Sequence, residues 1–197
     1  MAGSDAAGAA RDAATLRAAQ VVLILPLALC AVLDPRVATS EGGISNFGNH
    51  VATVPLYALA FAGNALLTLG ALSRLGRALA RSLVVACSLE LVVLASTFVR
   101  RFSFTWSYVH DYLGVAQFVA ELVVSVLVVA RRPGALAFGL VAVQVGGSLA
   151  GLGSALKVVH LLFWGQVVGS LGYAGMIGLV LAGGLARDAR RPARGGP

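Results

Sequence analysis

Charge is what this sequence has least of. Of its 197 residues only 12% are Asp, Glu, Lys or Arg, about half the share of a soluble domain. That scarcity excludes an ordinary soluble enzyme and a disordered regulator, because both need polar surface for water. Lysine is nearly missing: fourteen of the fifteen basic residues are Arg, and Lys157 stands alone. Two cysteines and three histidines are too few for a disulfide framework, and no Cys-x-x-Cys, His-x-x-x-His or His-Glu-x-x-His spacing links them. Phosphate loop, dinucleotide fingerprint, nucleophile elbow and kinase signature are all absent. The net charge of +7 suggests nucleic acid by arithmetic alone. Its arginines, however, sit in short runs between apolar segments rather than on one face, so no nucleic-acid partner is expected.

What the chain has instead is length in apolar runs: 58% hydrophobic residues and a mean hydropathy of +0.88. A helix needs about 20 mostly apolar residues to cross a bilayer. Six segments qualify, at 18–34, 51–73, 82–99, 112–130, 134–155 and 161–184. The expected fold is therefore an all-α polytopic membrane protein. A cytoplasmic segment, 1–17, precedes a six-helix domain, 18–185, and a basic cytoplasmic tail, 186–197, follows it. The first run has the length of a signal peptide, but Leu29 before Cys30 is not small, and Asp5 and Asp12 accompany Arg11 and Arg17. It reads as an uncleaved helix.

Basic residues set the orientation. With the N-terminus inside, the cytoplasmic side holds eleven of them, in the N-terminal segment, the 74–81 and 131–132 links and the 187–194 tail; the outer side holds Arg36, Arg100, Arg101 and Lys157. Both termini then face the cytoplasm of a cell-membrane protein. Short inner and longer outer links pair the helices as three hairpins. Cys30 and Cys87 fall at depths roughly 10 Å apart, too far for a disulfide.

Two carboxylates lie within the apolar runs. Glu90 centres the third segment and Glu121 the fourth. A turn near 105–106 would bring them to one depth. A charged carboxylate at mid-bilayer costs about 2.5–3.5 kcal/mol even on the lenient scales, so either each is protonated, or the two share a proton, or each has a partner, with at least one protonated at neutral pH as the expectation. His110, Gly114, Gln117, Glu121 and Ser125 recur at steps of three and four, one face of one helix. His50, Thr53, Tyr57, Asn64 and Thr68 make a similar stripe, and Gln144 and Ser148 add to it from the fifth segment. Asn64, Glu90, Glu121 and Gln144 are expected to converge, with Gln117 and Tyr57 beside them, as a ligand- or proton-binding interior. The competing reading makes the amides interhelical hydrogen-bond glue, but glue does not require a carboxylate.

The glycines Gly147-x-x-x-Gly151 and Gly165-x-x-x-Gly169 predict close packing of the last two helices on each other or on a second copy, a possible route to a homo-oligomer. Pro26 should kink the first helix, and Pro55 lies in the opening turns of the second. On the outer side, Glu41, Asn46, Asn49, Arg101 and Asp111 ring the expected mouth, beneath a loop whose three glycines, Gly42, Gly43 and Gly48, would let it fold over as a cap. Phe102, Phe104, Trp106 and Tyr108 alternate with Ser103, Thr105 and Ser107, which predicts an extended segment with its aromatic face in the interface. His50, His110 and His160 begin the three returning helices. Imidazoles at one level would suit zinc or copper, whereas haem wants facing histidines deeper in the bilayer; no cofactor is expected.

Three functions follow. The leading one binds or translocates a small solute, lipid or proton through an outward-facing polar pocket, a transporter-like role in the bilayer. The second is a metal-dependent enzyme or redox protein at the outer interface. The third is a membrane scaffold or assembly subunit built on the glycine faces.

Overall fold

A computed structural model describes residues 2–37 and 43–182. Six α-helices follow one another: α1 Ala2–Leu33, α2 Val54–Gly70, α3 Arg77–Val99, α4 Phe104–Arg131, α5 Ala135–Ala155 and α6 Leu162–Ala182. Short 3₁₀ turns lie at Ile44–Asn49, Leu72–Arg74 and Arg100–Phe102, and no strand occurs among the described residues. Five helices are long and apolar enough to cross a bilayer, the architecture of a multi-pass membrane protein. The sixth, α2, has 17 residues and rises about 26 Å at 1.5 Å per residue.

The segment limits differ from the sequence expectation where local chemistry intervenes. α1 starts at Ala2 rather than 18, because its Ala-rich beginning is a strong helix former, and it runs uninterrupted through Pro26. α2 starts at Val54, not 51. The Thr53 hydroxyl, fully buried, donates to the carbonyls of Phe47 (2.6 Å) and His50 (3.2 Å) and holds the preceding residues in a turn. Pro55 sits in the first turn, where its missing N–H has no intrahelical partner to lose.

The aromatic segment corrects the reading as an extended strand. Phe102 belongs to a 3₁₀ turn and Phe104–Tyr108 to the opening of α4, eight residues earlier than expected. Ser103 decides this: its backbone is extended and its Oγ accepts the Trp106 N–H at 3.3 Å, an N-cap. Phe104, Tyr108 and Tyr112 then fall on one outward helical face, all exposed.

The most extensive contacts join α1 with α2, α3 with α4 and α5 with α6, the three expected hairpins; α6 also reaches α4 and α1. Whether the glycines pair within the chain or between copies was open in the sequence. Within the chain, Gly147 and Gly151 on α5 face Gly165 and Gly169 on α6, and Gly172 lies against the Gln144 backbone. Two larger apolar clusters, beside a small one of Leu16, Ala71 and Leu181, divide the interior. One, with Leu79, Leu83, Val124, Val128 and Met176, fills the end near the α2–α3 and α4–α5 turns. The other, with Cys30, Ile44, Phe47, Tyr57, Leu94 and Phe163, fills the end covered by the 43–49 segment, hereafter the capped end.

Candidate functional site

Between the two apolar clusters lies a polar layer, and α2 and α3 build most of it. The Tyr57 hydroxyl meets the Thr97 hydroxyl at 3.1 Å. Seven residues farther along α2 and seven back along α3, the Asn64 amide nitrogen donates to both oxygens of Glu90, each at 3.0 Å. Seven residues are two helical turns, so an antiparallel pair brings the same faces together again. Asn64 and Glu90 are 4% and 5% exposed, and the Asn64 carbonyl oxygen has no hydrogen-bond partner.

Glu121 does not join this pair. Its Oε1 accepts from the Gln117 amide of its own helix at 3.0 Å. The shared-depth expectation fails because the turn between α3 and α4 falls at 100–103, not 105–106. Across that hairpin Ser96 lies level with His110, which puts Ala116 level with Glu90 and sets Glu121 about 7 Å deeper, between one and two helical turns. Gln144 is also apart: its Oε1 accepts from Ser125 at 2.6 Å, while its buried Nε2 has no partner. Asn64 and Glu90 are therefore brought together, as are Gln117 and Glu121, while Gln144 makes its own link from α5 to α4.

The capped end is closed by the 43–49 segment, and of the residues expected to ring a mouth only Asn46 takes part in the tethers that hold it. Ile44, Ser45, Phe47 and Gly48 are buried, and three polar tethers hold their segment down. The Ile44 N–H donates to the Gln166 carbonyl oxygen of α6 at 2.7 Å. Arg100 donates to the Asn46 side-chain oxygen at 2.7 Å. His110 stands between two hydroxyls, Ser45 at 3.0 Å from Nε2 and Ser96 at 2.8 Å from Nδ1. Gly43, at φ +64°, takes the left-handed backbone that the tight entry requires, and Gln166 leaves no room for a Cβ there. Asn49 reaches Asn46 at 3.4 Å, Asp111 is exposed, and Arg101 lies over the Phe102 ring. Glu41 falls outside the described residues.

The histidines are held separately. His110 is engaged by the two serines, His50 pairs with Asp34 at 2.7 Å, and His160 is exposed before α6. Among the described residues no three His, Cys, Asp or Glu side chains group as metal ligands. Ser96, which completes the His110 clamp, was not singled out from the sequence; a serine on an apolar helix carries no signal until the hairpin register is known.

Comparison with known protein families, curated proteins and solved structures finds no match.

Proposed function

We propose that this chain is a six-helix protein of the cell membrane, with both ends facing the cytoplasm, that binds and exchanges protons at Glu90 and Glu121 and couples them to a small solute or lipid. The observation that carries the reading is the answering group at each carboxyl. Glu90 meets Asn64 and Glu121 meets Gln117, so each buried acid faces an amide rather than a cation. An arginine partner would serve only the anion. An amide has both a donor and an acceptor, so it can bond the carboxylate through its N–H and the protonated acid through its oxygen. The unpartnered Asn64 oxygen is available for the second arrangement. A site that satisfies both protonation states can load and release a proton without leaving a buried group unpaired.

Two further observations support it. The carboxyls are staggered along α3 and α4 instead of side by side, as relay stations would be. The capped end is closed by a segment tied down through hydrogen bonds, which an outward opening would have to release. Six crossings agree with the concentration of basic residues at the 74–81 and 131–132 links.

The test is infrared difference spectroscopy of the protein in lipid nanodiscs through a pH titration. The expected result is a protonated-carboxyl band whose intensity follows pH, with separate components lost in Glu90→Gln and in Glu121→Gln. The proposal is overturned if neither substitution changes the band, or if both carboxyls keep one protonation state throughout.

A further inference from the structure

Beside the α3–α4 turn, outside the polar core, is a shallow depression of about 430 Å³ lined by Arg100, Arg101, Phe102, Ser103, Phe104 and Ser107. We infer that this depression binds a phosphate-bearing ligand, held by the Arg100 and Arg101 guanidinium groups and the hydroxyls of Ser103 and Ser107.

The two arginines are neighbours in one 3₁₀ turn, and both line the depression. Arg100 is fixed, giving one of its five N–H donors to Asn46, and Asp111 lies near enough to offset part of its charge. Arg101 rests over the face of Phe102, 5.1 Å from the ring centre. That contact leaves its N–H donors unused, and among the described residues Arg101 has no acidic partner. The Ser103 hydroxyl uses a lone pair for the Trp106 N–H, so its hydrogen is free to donate into the depression.

A planar guanidinium fork matches phosphate oxygens two at a time and sheds its water more readily than an ammonium. The volume exceeds a bare phosphate and falls at the lower end of the range for small-molecule sites. Its rim is apolar: Phe102 and Phe104 are 70% and 86% exposed. Large exposed aromatics beside arginines are costly in water and favourable at the head-group level of a bilayer, where the ends of spanning helices α3 and α4 lie. Two sources share this chemistry, the head group of an anionic phospholipid and free inorganic phosphate, and the experiment separates them.

Full-length protein in a neutral detergent is titrated with phosphatidylglycerol, phosphatidylcholine and inorganic phosphate, each alone. Native mass spectrometry reports occupancy, and Trp106, beside the depression, reports binding by fluorescence. Arg101→Gln, which removes no other described polar contact, should weaken phosphatidylglycerol binding about fivefold, and Arg100→Gln/Arg101→Gln more. The melting temperature of Arg101→Gln should equal that of the parent. Arg77→Gln/Arg81→Gln, at the opposite end, removes the same charge and should leave binding within twofold. Arginine-dependent binding of phosphatidylglycerol alone assigns the site to the lipid. Arginine-dependent binding of inorganic phosphate assigns it to the free anion and equally supports a phosphate site. Unchanged binding by Arg101→Gln, or equal losses in the two double variants, overturns the inference.

Discussion

Gly147 and Gly165 face each other across α5 and α6 with no space for a methyl group on either. A Cβ on Gly147 would lie 2.6 Å from the Gly165 carbonyl oxygen, and one on Gly165 would lie 2.7 Å from the Gly147 carbonyl oxygen. The obstacle is backbone on both sides, so no side-chain rotation relieves it. Gly146, one residue away, points into open space. Gly147→Ala should therefore destabilise the protein by about 1–3 kcal/mol, as overpacking does, whereas Gly146→Ala should be neutral or stabilise α5 by a few tenths. Thermal unfolding of both variants in one detergent checks this. Equal effects would mean that the two helices are not packed as described.

The Asn64–Glu90 pair makes a four-member prediction. Asn64→Leu strands a buried carboxyl and should cost about 1–3 kcal/mol or more. Glu90→Leu strands the amide at similar cost. The double replacement removes both polar groups and should recover much of the loss, giving a coupling of about 1–3 kcal/mol in a double-mutant cycle. Additive losses would show that the two side chains do not bond.

His110 ties the 43–49 segment to α3 and α4 through Ser45 and Ser96. His110→Leu should loosen that segment while the helices persist. Amide hydrogen exchange at residues 44–49 should accelerate by about fivefold or more, the consequence of losing on the order of 1 kcal/mol of local stability. Protection unchanged at 44–49 would refute the clamp.

Cys30 and Cys87 are both free and buried, and the Cys30 thiol lies 3.6 Å from the Thr53 carbonyl. Mass spectrometry after maleimide treatment should find neither labelled in the folded protein and both labelled after denaturation in SDS, without reductant. Rapid labelling of the folded protein would contradict their burial.

The helical architecture was legible because a bilayer asks one simple thing of a sequence, an apolar run of sufficient length. The ends were less so. Period-two aromatic alternation at 102–108 satisfies a strand pattern, and only the Ser103 cap turns the same residues into the first turns of α4. That shift moved the hairpin turn and put Glu121 more than a turn below Glu90. A carboxylate in an apolar run announces itself, so Glu90 and Glu121 were visible, and Asn64 followed from sharing the polar stripe of α2. Pairing was not visible, because it depends on how two helices slide and rotate against each other. For the same reason the sequence pattern groups Gln144 with Glu90, whereas it bonds Ser125.

The shortness of α2 has a consequence for the surrounding lipid. Its rise of about 26 Å falls below a typical hydrocarbon thickness of about 30 Å, while α3 and α4, with 23 and 28 residues, exceed it. The buried Ile44, Phe47 and Gly48 belong to the turn that precedes α2 and packs against it. Hydrophobic mismatch costs fractions of a kcal/mol per ångström, so α2 placed as a crossing would carry a shortfall of about 4 Å, worth on the order of 1 kcal/mol and local to α2, because neighbouring α1 has an apolar run of 24 residues.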